Sequence, residues 1–215
     1  PNYVYKKAKY QHMTINVKTT DTWEGGAGAD WFHLQRKTIN SAPRVPAYAT
    51  DNKMVSTASA YALVEFKKDD PFHKPADLAG LKTWIENEND LAHHKELELK
   101  EISVGDFKGY AAFSPPRYAP GGWSFEGYRG AGASASLSGY VMKGIVFFKV
   151  SWYANASGAF DNSDQGWMMS MVRQLSAEAS GIFSGASFQP DGQLTKSPYT
   201  GPKLDGSDYP QVRID

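Results

Sequence analysis

The chain has 215 residues, 41% hydrophobic and 21% charged, which is enough for one well-buried core and typical of an ordinary soluble globular protein. Lysine plus arginine equals aspartate plus glutamate at 23 each, so no net field draws the chain to nucleic acid or to an anionic membrane, and no apolar run approaches the ~18 residues that cross a bilayer. Cysteine is absent, which excludes disulfides, thiol nucleophiles and thiolate metal sites.

Residues 1–11 are polar and aromatic without a period and read as an N-terminal arm. From His12 to Lys18, Met13, Ile15 and Val17 alternate with polar residues, the pattern of a half-buried strand. A turn is expected in the Gly25–Gly28 region, then a strand over Trp31–Ile39 and a loop from Asn40 to Asn52 carrying Pro43 and Pro46. Thr57–Phe66 is apolar on both faces, as a central strand covered on two sides would be. Asp69 to Pro75 breaks it. Asp77 then caps a helix through about Glu88, with Leu78, Leu81, Trp84 and Ile85 as its buried stripe.

Leu97, Leu99, Ile102 and Val104 suggest a strand whose phase slips, and Gly105-Asp106 turns the chain into a strand over Phe107–Phe113. Ser114 to Trp123 is a proline- and glycine-rich loop, followed by a short strand over Ser124–Arg129. Ser134 to Met142 forms the next strand, Lys143-Gly144 turns it, and Ile145–Tyr153 is the most β-prone run in the protein. Asn162-Ser-Asp-Gln opens a helix whose Met168, Met171, Val172, Leu175, Ala179 and Ile182 fall on one face. Residues 184–215 carry four prolines and no hydrophobic period, an extended or flexible tail beyond a single α+β domain over 12–183.

This order of elements, a mostly antiparallel sheet flanked by two helices, resembles the PsbP-like α/β/α sandwich superfamily. Met13-Thr-Ile-Asn-Val with Trp23, Val104-Gly-Asp-Phe-Lys-Gly-Tyr110, and Val141-Met-Lys-Gly-Ile-Val-Phe-Phe148 before a terminal helix carry the resemblance over about residues 12–183. That superfamily includes photosystem extrinsic subunits, bacterial lipoproteins, secretion-system chaperones and a small-GTPase-binding regulator. The resemblance implies a non-catalytic protein that docks onto larger assemblies, and it supplies no active-site residues.

The side chains themselves point away from catalysis. His12, His33, His73, His93 and His94 contain no helical ligand pair, and no metal or other cofactor is expected. No Gly-x-Ser-x-Gly elbow occurs, and Ser138 lacks the first glycine. Gly127 to Ser136 is glycine-rich but lacks the Gly-Lys-Ser/Thr ending of a phosphate loop. The aromatic loop stands out instead. Arg117, Tyr118, Trp123, Phe125, Tyr128 and Arg129 are the residue types that dominate interface hot spots, and the prolines among them preorganise the loop.

The sequence therefore leads to a binding or accessory subunit with a protein partner, engaged through this loop and the terminal arms, with no nucleic acid and no membrane span. A start at Pro1, taken as a processed end, and the abundance of glycine, serine and aromatic residues suggest export, and Asn155-Ala-Ser157 is a formal glycosylation sequon. The competing expectations are a secreted hydrolase or carbohydrate-active protein using aromatic platforms, and a carrier with a small ligand held between the sheet and one helix.

Overall fold

The structure is a computed structural model that describes residues 3–10, 13–27, 31–46, 48–66, 75–143, 146–158, 162–190 and 213–214. His12, His73, the Gly144 turn position, the expected break after Phe66 and most of the C-terminal tail lie outside these residues. In chain order the elements are β1 (Tyr3–Tyr10), β2 (Met13–Thr20), β3 (Trp23–Ala27), β4 (Trp31–Arg36), β5 (Ile39–Asn40), β6 (Thr57–Phe66), α1 (Leu78–Glu88), β7 (Glu98–Val104) and β8 (Phe107–Ala119). There follow β9 (Gly122–Ser124), β10 (Gly127–Arg129), β11 (Gly132–Lys143), β12 (Val146–Ser157), α2 (Gln165–Ser184), β13 (Ser187–Pro190) and β14 (Arg213–Ile214). The fold is α+β, with every strand pairing antiparallel.

The main sheet runs β3-β4-β6-β12-β11-β8-β7, with β5 also on β6. Period-two alternation sorts its residues sharply. Ala58, Ala60, Ala62 and Val64 of β6, Phe148, Val150, Trp152, Ala154 and Ala156 of β12, and Ala133, Ala135, Leu137 and Val141 of β11 form one buried face. Helix α2 closes that face with Met168, Val172, Leu175, Ala179 and Ile182, all buried; Met171 is half-buried beside them. On the opposite face α1 covers one end only. Its Leu81 and Ile85 pack with Tyr140 and Met142 of β11, joined by Trp84, Leu99 and Tyr110. Burial beneath α1, beside the Glu88 and Glu65 carboxylates, pushes the Tyr140 hydroxyl up to about 12.

These two helices explain the slipping phase of β7. Leu99 faces α1, whereas Ile102 and Val104 face α2, so a strand covered from both sides carries apolar residues on both. The expectation for β6 is corrected by the same geometry. It is central, between β4 and β12, but helix α2 covers only one of its faces. On the other, Tyr61 is 40% exposed and rests edge-on against His33 and tilted against Tyr153.

Several other segments differ from expectation for one reason: backbone ladders need no apolar period in the strand that joins them. The N-terminal segment forms β1, paired with β2 from Tyr3↔Thr20 to Tyr10↔Met13. Ser187–Pro190 and Arg213–Ile214 complete a small sheet in the order β13-β2-β1-β14. Of the Gly25–Gly28 region expected as a turn, Gly25 and Gly26 instead lie in β3 and Gly28 lies outside the described residues, and Trp31–Ile39 divides into β4 and β5. The 114–119 part of the aromatic loop continues β8, whose Pro115 and Pro116 fall where the register with β11 shifts and β7 has already ended.

Helix termini are fixed as their sequences suggest, with one difference. Asp77 Oδ1 accepts from the Gly80 amide at 2.8 Å and caps α1. Asp164 precedes α2 but makes no side-chain cap; its carboxylate accepts instead from Arg44 Nη1 and Ser56 Oγ, tying the 41–56 loop to the helix start. Gly139, inside β11, lies so close to β8 that an added Cβ would sit 2.2 Å from the Tyr110 carbonyl oxygen and 2.5 Å from Ala111 Cα. Gly139→Ala should therefore destabilise the fold by about 1–3 kcal/mol or more, the range for overpacking, measured by urea unfolding.

Candidate functional site

Between the last rungs of β8 and β11 the chain leaves the sheet to form the β9–β10 hairpin. Ala119 pairs with Gly132, and between them the two short strands pair with each other: Gly122↔Arg129, Trp123↔Tyr128 and Ser124↔Gly127. Ser124 builds the tip. Its Oγ accepts from the Glu126 amide at 3.3 Å and donates to the Gly127 carbonyl at 3.2 Å. Gly127 has φ +120, a conformation that side chains other than hydrogen resist.

The hairpin base is clamped by Asn162, at the entry to α2. Its Oδ1 accepts from Tyr118 Oη at 2.5 Å and from the Gly121 amide at 3.0 Å. Gly121 must be glycine for a steric reason: a Cβ there would meet the Ala131 nitrogen at 2.8 Å and Tyr128 Oη at 2.9 Å. Tyr128 thus lies inward over Gly121 and is half-buried, while the other two rings of the hairpin face water. Trp123 is 83% exposed and Phe125 97% exposed. Trp123 rests edge-on against Tyr128 at 5.3 Å, which limits its freedom without covering it.

The six residues singled out from sequence thus divide into two groups. Trp123, Phe125, Tyr128 and Arg129 share the hairpin, with Arg129 exposed. Arg117 and Tyr118 belong to β8 and are held by the fold. Arg117 Nη2 donates to Ser114 Oγ at 3.0 Å and to the Glu96 carbonyl at 3.3 Å, while Tyr118 packs on the main core and bonds Asn162. Sequence reasoning missed Asn162 and Ser124, the two residues that fix the hairpin. Asn162 read as a helix opener, and nothing local marks its partners more than forty positions upstream.

A second surface lies on the sheet face that α2 leaves open. Ser59, Tyr61 and Leu63 of β6 lie beside Ser151, Tyr153 and Asn155 of β12, with Ser134, Ser136 and Ser138 of β11 beyond. Ser59 Oγ donates to Asn155 Oδ1 at 2.8 Å, and the sequon asparagine is half-buried near the end of β12. His33, Tyr61 and Tyr153 form an aromatic row across three strands, with centroid separations of 5.5 and 5.9 Å. Among the described histidines, His93 pairs with Asp90 at 2.7 Å and His94 with Glu96 at 2.8 Å, pointing apart. Among the described residues no group of three or more His, Cys, Asp or Glu could hold a metal, and no helix is long and apolar enough to cross a membrane.

No protein-family model matches the chain, and no curated protein does. Two solved structures are similar in fold at a distance. LpqN of Mycobacterium tuberculosis, involved in cell envelope biogenesis, aligns at 12% identity and TM-score 0.37 over 84% of this chain and 86% of its own. A protein of Bacteroides thetaiotaomicron aligns at 10% identity and TM-score 0.35 over 85% of this chain, which spans 50% of that longer one.

Removing the clamp should loosen the hairpin without unfolding the sheet. Asn162→Ala is expected to cost about 1 kcal/mol and to speed hydrogen exchange at Gly121 and along Gly122–Arg129, leaving β6, β11 and β12 protected. The aromatic row predicts a pH effect of known sign. Burial holds the His33 imidazole below its ordinary 6.5, so the unfolded chain takes up a proton first as pH falls. Stability is then complete above 6.5 and is lost progressively as pH drops from 6.5 toward the folded-state value. His33→Gln should flatten that slope relative to the wild type in unfolding titrations from about pH 7 to 5.

Proposed function

We propose that the chain is an exported, non-catalytic binding subunit that docks onto a protein partner through the β9–β10 hairpin. One observation carries this reading: Trp123 and Phe125 stand almost fully in water on a hairpin anchored at its base and stiffened at its tip. A soluble surface gains nothing from two such rings, whereas a partner's pocket gains much. Each buried aromatic anchor contributes about 2 kcal/mol or more at a hot spot, and a preformed hairpin has little entropy left to lose. Arg129 and Glu126 supply a polar rim around the rings. The helix-flanked antiparallel sheet is the arrangement on which the PsbP-like resemblance rests, and the glycine- and serine-rich composition supports export.

A second reading rests on the open sheet face. The tilted Tyr61–Tyr153 pair, with hydroxyls of Ser59, Ser136 and Ser151 around it, is the composition of a platform for a sugar ring.

One experiment separates them. Trp123→Ser/Phe125→Ser changes only exposed side chains, so its melting temperature should match the wild type. Native mass spectrometry after gentle isolation from the source should show the wild type in a defined heteromer and the variant as a bare monomer. A variant that keeps its partner removes the hairpin from the interface. Glycan-induced shifts at Tyr61 and Tyr153, with none at the hairpin, would favour the platform.

A further inference from the structure

The outermost strand of the main sheet, β7, pairs with β8 from Val104↔Phe107 to Glu98↔Phe113 and with no other described strand. Every second residue along it therefore turns both its N–H and its C=O away from the sheet, a template for one more strand.

Two crevices flank this edge, one on each face, and the same stretch, Glu101-Ile102-Ser103, lines both. On the α2 side a cavity of about 230 Å³ opens beneath the last turn of the helix, walled by Ile102, Val104, Leu137, Val150, Trp152 and Phe183. On the α1 side a cavity of about 500 Å³ lies between Leu78, Lys108 and Tyr110. Strand side chains alternate between faces, so a peptide laid along β7 would deliver successive side chains into the two crevices in turn. The α2-side space is apolar and larger than the roughly 150 Å³ cavity that already takes a benzene ring, so a phenylalanine- or leucine-sized side chain fits it.

Charge refines the choice of occupant. Lys100 lies on the same face as Ile102, two positions along, with Nζ 3.9 Å from the centroid of the Phe113 ring and its side chain exposed. A carboxylate two residues from the apolar side chain would meet it. A second copy of β7 is disfavoured by charge in the register centred on Glu101. Symmetric antiparallel pairing centred on Glu101 would set two Glu101 carboxylates opposite each other.

We propose that the free edge of β7 is a strand-addition site for an extended peptide segment of a protein partner. That segment carries a bulky apolar residue and, two positions away, an acidic one. The surface shares no residue with the hairpin, so the inference stands whether or not the hairpin is a docking element.

The test uses the full chain and a capped octapeptide of alternating threonine and valine, with phenylalanine fourth and glutamate sixth. NMR titration should move and slow the exchange of amides within Glu98–Val104, together with Phe183 and Ser184. N-methylation of the peptide residues that face β7 should abolish binding, while methylation of the alternate set should leave it intact. Phenylalanine-to-alanine in the peptide, or Lys100→Glu in the protein, should each weaken binding about tenfold, and a lysine in place of the peptide glutamate should restore affinity for Lys100→Glu. Absence of shifts at about 1 mM peptide overturns the proposal. So do equal binding of both methylated peptides, shifts centred on Gly122–Arg129 or on Tyr61 and Tyr153, and a solution dimer that protects the β7 amides.

Discussion

The structure depends on how closely α2 can approach the sheet. Beneath the first half of the helix the sheet presents little but methyl groups: Ala58, Ala60 and Ala62 of β6, Ala154 and Ala156 of β12, Ala133 and Ala135 of β11. The helix answers with its larger side chains, Met168, Val172 and Leu175. The fit is tight enough that a Cβ on Gly158 would lie 2.3 Å from Met168 Cε. Farther along, the sheet offers Phe148, Val150, Trp152 and Leu137, and the helix carries Ala179, Ile182 and Phe183. The large-on-small packing beneath the first half lets the helix seat close to the sheet there, and lengthening an alanine under it would overpack the contact. The Arg36–Glu178 pair at 3.1 Å holds the same seat from the rim.

That one-sided burial explains the two characters of the sheet. The face under α2 is nearly all hydrocarbon, while the other has its buried hydrocarbon cluster where α1 lies over β8 and β11. Away from α1 it carries serine, tyrosine and asparagine, hydrogen-bonded across strands as at Ser59 and Asn155. The crevices beside β7 have the same origin. Among the described residues the sheet's last strand has no further neighbour to fill the space under either helix.

What could be read from sequence follows the range of the interactions. The α2 stripe and the Asp77 cap were legible because their signals lie within a turn or two of helix, and β6, β8, β11 and β12 were legible as strands because each is a β-prone run, whereas their order in the sheet was not. The small sheet was not legible. β13 and β14 lie far along the chain from the strands they pair with, and neither has a pattern of its own. The aromatic hairpin was half legible: residue type marked Trp123 and Phe125 as noteworthy, but a tryptophan written in sequence looks the same whether it faces core or water. Their exposure follows from the hairpin's departure from the sheet, which is held at its base by the distant Asn162.

The hairpin's placement has a consequence for how this chain can change over time. Its stem departs and returns at Ala119 and Gly132, neighbours on adjacent strands, so the sheet on either side is already continuous without it. Its contents answer to almost nothing in the core, and its length, tip and chemistry are free to diversify while the scaffold stays constant. Such a position is a cassette in the structural sense: one frame can carry many different tips, exchanged a handful of residues at a time.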